Sequence, residues 1–145
     1  FKLVDVFTAL ENIALCMEPG RRLDLRRVRS QARAICEKYG FALDLDQKVY
    51  EMSVSQKQTL EIVKVLFRGA EILILDEPTA VLTPQETRKA LCRHAQHEAD
   101  GKAVIIITHK LHEVLTVSDR VAILRRGEYV GTVNTCDAPR RPSPR

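Results

Sequence analysis

Glu71-Ile-Leu-Ile-Leu-Asp-Glu-Pro-Thr79 is the stretch around which the rest of the chain can be read. Ile72 to Leu75 are four apolar residues in a row, rich in strand formers and too few for a helix. That pattern predicts a strand buried on both faces, as in a parallel sheet covered by helices. Asp76 and Glu77 leave its C-terminal end, and Pro78 stops the ladder. Ligands of open α/β sheets bind outside the carboxyl ends of the strands. Adjacent acids there suit a metal–phosphate site, one helping to hold a divalent cation and the other handling a proton. The plainer alternative is a solvated strand exit.

Downstream, Thr83-Pro-Gln-Glu86 combines an N-cap, a proline at the first helical position and a glutamate at the third, and predicts a helix to about Glu98. Asp100-Gly101 turns the chain into a second apolar run, Ala103–Ile107, which ends in Thr108-His109. Strand, crossover helix and strand make a βαβ unit with parallel strands, whose carboxyl ends share one edge of the sheet. Asp76, Glu77 and His109 are thereby expected together. Lys110–Val117 reads as a short helix and Arg120–Leu124 as a strand, with Arg125-Arg-Gly-Glu128 turning into Tyr129–Val133.

Upstream, the first 70 residues read as mostly helical. Thr8-Ala-Leu-Glu11 is a capping box opening a short helix that ends near Cys16 or Met17, with Pro19-Gly20 after it. Asp24 is placed to cap a helix over residues 25–39 that Gly40 closes. Arg22, Arg26, Arg29 and Arg33 recur at helical spacing opposite Leu25, Val28, Ala32 and Ile35, the polar and apolar faces of an amphipathic helix. Phe41–Met52 shows no period and reads as a loop. A third helix starts in Ser53-Val-Ser-Gln56 and runs to Phe67, with Leu60, Val63, Leu66 and Phe67 as its apolar stripe and Gly69 as its stop.

Bulk properties narrow the classes. The 145 residues suffice for one domain with a core, and 45% apolar and 29% charged residues are ordinary for a globular protein. No run approaches the roughly 20 apolar residues of a membrane span. The net charge of +4 sits on the arginine face and in a Pro-rich tail, and aromatics are 5%, so a nucleic-acid surface is not expected. Cys16, Cys36, Cys92 and Cys136 form no C-x-x-C pair and read as reduced thiols. The start at Phe1, without methionine or signal peptide, reads as cut. Two segments depart in pattern, Ala90–Glu98 with a thin apolar stripe and the tail 138–145, and both read as out-of-frame coding.

With these residues assembled, the chain resembles the ATP-binding subunit of an ABC transporter over most of residues 1–135, corresponding to the later two-thirds of a nucleotide-binding domain. Leu73-Ile-Leu-Asp-Glu-Pro-Thr79 resembles the Walker B strand. The resemblance implies that Asp76 positions Mg²⁺ through its water shell and that Glu77 orients or deprotonates the attacking water. His109, after Ile105-Ile-Ile-Thr108, resembles the switch histidine that senses the γ-phosphate. Met52-Ser-Val-Ser-Gln56 stands where the family has its Leu-Ser-Gly-Gly-Gln signature. That implies Ser53, Ser55 and Gln56 facing ATP held by an opposing subunit, and hence a dimer. Val54 and Ser55 replace both glycines, which hinders close backbone approach to a phosphate. The plainer role for Ser53 is a helix cap. Ala80-Val-Leu-Thr83 stands where many members have Ser-Ala-Leu-Asp, so an acid is missing.

The implied fold is α/β, a partial P-loop NTPase-like ABC ATPase domain. Residues 1–70 would be a helical, signature-bearing subdomain, 71–135 the Walker B and switch-histidine part of the core with a mostly parallel sheet and flanking helices, and 136–145 a disordered tail. The wording around the motifs, including Phe67-Arg-Gly-Ala-Glu71 and Arg120-Val-Ala-Ile-Leu-Arg-Arg-Gly127, resembles the importer branch for simple sugars and nucleosides. ATP and Mg²⁺ are the implied cofactors. The implied partners are a second ATP-binding subunit and transmembrane permease subunits, with no nucleic acid and no direct lipid insertion. Attachment would be to the cytoplasmic face of the plasma membrane through the permease.

A P-loop requires G-x-x-x-x-G-K-[ST], and none of the six glycines opens one. Little or no hydrolysis by the chain alone is therefore expected. The alternative is a non-catalytic remnant or pseudogene product that at most binds nucleotide weakly or pairs with an intact subunit. His94 and His97 read as a solvated helix face, His112 as pointing away from the site, and Lys110 as a surface residue.

Overall fold

The computed structural model describes residues 2–17, 20, 22–77, 103–111, 114–115 and 118–137. The chain divides into two compact units, Phe1–Ile107 and Thr108–Arg145. The helix expected over 84–98, His94, His97 and His112, and the two segments read as out-of-frame lie wholly or largely outside the described residues.

Three helices build most of the first unit: α1 (Ala9–Ala14), α2 (Leu25–Tyr39) and α3 (Val54–Phe67). Each starts where the local chemistry satisfies free amides. Thr8 Oγ1 accepts from Glu11 N at 3.2 Å, while Glu11 Oε2 accepts from Thr8 N at 2.6 Å, the reciprocal box expected there. Asp24 Oδ1 accepts from the amides of Arg26 and Arg27. Gly40 closes α2 at φ 71, a left-handed conformation that costs glycine nothing, with its N–H on Cys36 O.

The core lies between these helices. Ala9, Leu10 and Ile13 of α1 meet Val28, Ala32 and Cys36 of α2 and Leu60 and Val63 of α3. The apolar stripe of α2 is turned from the expected one. Leu25 is exposed and Ile35 only partly buried, while Cys36 and Tyr39 are buried. Phe67 is likewise only partly buried against the core.

Residues 41–52 are irregular, as expected, but they are not peripheral. Leu45, Val49 and Met52 are core residues, and Val49–Glu51 form a 3-10 turn. Leu45 O and Gln47 O accept from the first amides of α1, Leu10 N at 2.9 Å and Ala9 N at 3.0 Å. Arg29 on the polar face of α2 grips Asp46 in this segment with both guanidinium nitrogens, at 2.7 and 2.6 Å.

β1 (Ile72–Asp76) and β2 (Ala103–Ile107) pair in parallel, from Ile72 opposite Ala103 to Asp76 opposite Ile107. The expected burial of β1 on both faces does not hold. Ile72 is 60% and Ile74 63% exposed, and Ile105 and Ile107 of β2 are exposed beside them, whereas Leu75 is buried. An unbroken apolar run states what the strand prefers, and the alternation of the pleat decides which half is covered.

In the second unit, β3 (Arg120–Arg125) and β4 (Glu128–Asn134) form an antiparallel hairpin with a register shift at Ile123/Leu124. Arg126 and Gly127 turn it at φ 52 and 81, the double left-handed pattern of a two-residue hairpin turn. Before it, Val114 N donates to Lys110 O and Ser118 N to Val114 O, helical spacing in the expected place. Among the described residues no helix is long and apolar enough to cross a membrane.

Candidate functional site

Two features of the first unit carry the candidate residues. The first is the exit of β1. Parallel pairing brings Asp76 to the same sheet edge as Ile107. Glu77 N donates to Ile107 O at 2.8 Å and extends the ladder by one bond. Glu77 has φ 47, so its side chain leaves a left-handed backbone. Asp76 is exposed and Glu77 half-buried. Two adjacent carboxylates at this edge offer oxygen donors to a hard cation or an acceptor for a proton. Among the described residues no group of three or more His, Cys, Asp or Glu forms a cage for a metal ion. His109 follows two residues after Ile107, is exposed, and belongs to the second unit.

The second feature is the start of α3. Ser53 caps it: Ser53 Oγ accepts from Gln56 N at 3.3 Å, and Gln56 Oε1 accepts from Ser53 N at 2.8 Å. The capping role weighed for Ser53 is thus realised, with Gln56 as its partner. Val54 and Ser55 are the next two residues, and helix geometry leaves their amides without intrahelical acceptors. Those amides and the positive end of the helix dipole favour an anion. The Val54 side chain is exposed at this point.

A residue that sequence reasoning missed holds this helix start in place. Gln47 Oε1 accepts from Gln56 Nε2 at 3.1 Å, and Gln47 Nε2 donates to Glu51 O at 3.3 Å. Gln47 O also accepts from Ala9 N. Gln47 therefore ties the start of α1 to the start of α3. It lies in a stretch without periodicity, nine residues before its side-chain partner, so no local pattern marks it.

Known proteins resemble the chain in both sequence and fold. The family profile described as ABC transporter matches residues 2–80. The nucleoside import ATP-binding protein NupA of Lactococcus lactis subsp. cremoris is 44% identical over 139 residues, covering 94% of this chain and 28% of that protein. The glucose import ATP-binding protein TsgD13 of Haloferax volcanii is 48% identical over 118 residues, covering 81% and 21%. The ribose import ATP-binding protein RbsA 1 of Burkholderia thailandensis is 43% identical over 135 residues, covering 91% and 27%. The chain thus spans between about a fifth and just over a quarter of the length of these relatives. The bacterial ABC transporter cassette MJ0796, solved as a dimer, superposes with a TM-score of 0.77 at 24% identity, covering 92% of this chain and 59% of that one. Its fold is therefore the α/β fold of an ABC ATPase cassette in part, helices followed by a parallel pair of strands. With a match running through the helical layer and the β1 carboxylates, this chain belongs to the ABC transporter family.

Proposed function

We propose that the chain is the signature- and Walker B-bearing part of an ATP-binding subunit that energises import of a small solute of the sugar or nucleoside class. The observation that carries this reading is the parallel β1–β2 pair ending in Asp76 and Glu77, together with the Ser53-capped start of α3. The printed names of the relatives supply the solute class.

The residues fit the cofactors that the family implies. Mg²⁺ characteristically keeps several waters and takes one or two carboxylates plus substrate phosphates, and the adjacent carboxylates Asp76 and Glu77 at the exit of β1 have that chemistry. Bound Mg²⁺ and ATP would supply charge neutralisation and the phosphoryl group. By the family's pattern Asp76 would hold the metal's water shell and Glu77 would orient or deprotonate the attacking water, and His109, in the second unit, would take the part of the residue that senses the terminal phosphate. Ser53, Ser55 and Gln56 face ATP carried by an opposing subunit. Residues 1–70 act as the signature-bearing subdomain that docks on permease subunits at the inner membrane face, and 71–135 as part of the ATPase core. Alone, the chain turns over little or no ATP, because its 145 residues contain no P-loop.

Association with an intact ATP-binding subunit of a related importer, measured by sedimentation with and without ATP, tests the reading. ATP-dependent pairing supports it. No pairing, or sustained phosphate release by the chain alone, overturns it. A second reading, a non-catalytic remnant, draws on Val54 and Ser55 in place of both signature glycines. It expects pairing that is weak and indifferent to Val54→Gly with Ser55→Gly.

A further inference from the structure

The hydrogen bonds around the start of α3 form a chain with one direction. Gln47 Nε2 donates to Glu51 O at 3.3 Å, Gln56 Nε2 donates to Gln47 Oε1 at 3.1 Å, and Ser53 N donates to Gln56 Oε1 at 2.8 Å. An amide side chain fits either way round until its partners settle the direction. Backbone groups settle it here at both ends. Glu51 O can only accept, so Gln47 presents its nitrogen there and its oxygen to Gln56. Ser53 N can only donate, so Gln56 presents its oxygen there and its nitrogen to Gln47. The two amides meet donor to acceptor, and neither can turn alone without setting like groups face to face.

This chain of bonds starts from a fixed point. Lys48 bridges Thr8, Gln47 O takes Ala9 N at 3.0 Å, and Leu45 and Val49 on either side are core residues. Gln47 and Gln56 are both half-buried, which shields their contact from competing water. It ends at Ser53, whose N–H is occupied by Gln56 Oε1. The Ser53 hydroxyl accepts from Gln56 N at 3.3 Å and has no other partner among the described residues. Its proton is left to donate. An ionised phosphate oxygen only accepts, so a hydroxyl held in this sense matches it, while the Ser53 amide beside it is withheld.

We propose that Gln47 is a positioning residue for this helix start: it locks the Gln56 amide onto Ser53 N–H, so that an arriving phosphate is offered the Ser53 hydroxyl proton and refused the Ser53 amide. The phosphate end rests on the signature reading above; the direction of the bonds does not. Hydrogen exchange of the 145-residue chain, read at Ser53 N without nucleotide or partner, tests the lock. Gln47→Glu still accepts from Gln56 Nε2 and is expected to exchange within about twofold of the parent. Gln47→Lys can only donate, so Gln56 turns its nitrogen toward Ser53 N and exchange is expected to speed up about fivefold. In a Gln56→Glu background the order is expected to reverse, because the carboxylate there meets a donor in Gln47→Lys and a second carboxylate in Gln47→Glu. The same order in both backgrounds, which a bare effect of charge on exchange would give, overturns the proposal. Should Gln47→Lys not fold, Gln47→Met decides, with about threefold faster exchange expected and the parent rate overturning it. Gln47→Met also reads the phosphate end, since it changes no charge. ATP-dependent pairing is expected to tighten about threefold as the amide is released, whereas a merely structural loss would weaken it. Unchanged or weaker pairing overturns the proposal. A parent chain that does not pair overturns the signature reading instead, and exchange at Ser53 then decides the role of Gln47.

Discussion

The backbone N–H of Glu77 meets the carbonyl oxygen of Ile107 at 2.8 Å, one bond past the Asp76–Ile107 pair that ends the parallel ladder. This bond holds Glu77 at the sheet edge while its backbone stays left-handed at φ 47. A residue with a Cβ loses about 1 kcal/mol or more in that conformation, and glycine does not. Glu77→Gly is therefore expected to raise stability by up to about 1 kcal/mol, read as a higher urea midpoint, and Glu77→Val to lower it. Equilibrium unfolding of the three chains checks the order.

Asp46 and Glu11 contribute to the acid limb of stability. Hydrogen bonds from Arg29 hold the Asp46 carboxyl below its ordinary value, and the Thr8 backbone N–H, then the Thr8 hydroxyl, do the same for Glu11. With folded values depressed, the unfolded chain takes up protons first, so the stabilisation is complete above the ordinary carboxylate range of about 4 and is lost as pH falls through the folded values. Melting temperature followed from pH 7 to pH 2 is expected to fall less steeply in Asp46→Asn than in the parent chain. An identical slope would mean that this pair contributes nothing.

Burial separates the described thiols. Desolvation raises the pKa of both Cys16 and Cys36, Cys36 lying in the core and Cys16 half-buried, whereas Cys136 is exposed. The thiolate is the reactive form. Iodoacetamide at neutral pH, followed by peptide mass mapping, is expected to modify Cys136 first, Cys16 more slowly and Cys36 only on unfolding.

Leu60 and Ile74 give opposite responses to truncation. Leu60 is fully buried among all three helices, and Leu60→Ala is expected to cost about 2–5 kcal/mol. Ile74 lies on the uncovered face of β1, and Ile74→Thr is expected to change stability by less than about 1 kcal/mol while reducing binding of an apolar dye. Urea titration and dye fluorescence together check both.

These contrasts mark what could be read from the residues and what could not. Asp24, Gly40 and the boxes Thr8–Glu11 and Ser53–Gln56 act within four residues or end a helix, so their spelling is local and legible. So were Asp76 and Glu77, because a strand followed by acids has a direction and an exit. Leu45, Val49 and Met52 enter the core from a segment without period, and nothing in their spacing announces it. Lys64 meets Lys2 O across 62 residues, and Asn12 meets Val4 through backbone groups that every residue carries. Such contacts have no sequence signature. The apolar run of β1 was equally silent about which of its faces is covered.

The Ser53–Gln56 box has a consequence for affinity. A phosphate arriving at α3 meets an internal competitor already seated there, since Gln56 Oε1 holds Ser53 N–H and Gln56 N holds the Ser53 hydroxyl oxygen. Such caps are worth about 1 kcal/mol, so a ligand that must displace this one binds about fivefold more weakly than to a helix start without it. The same residues that make the helix begin here set a threshold that any anion has to exceed.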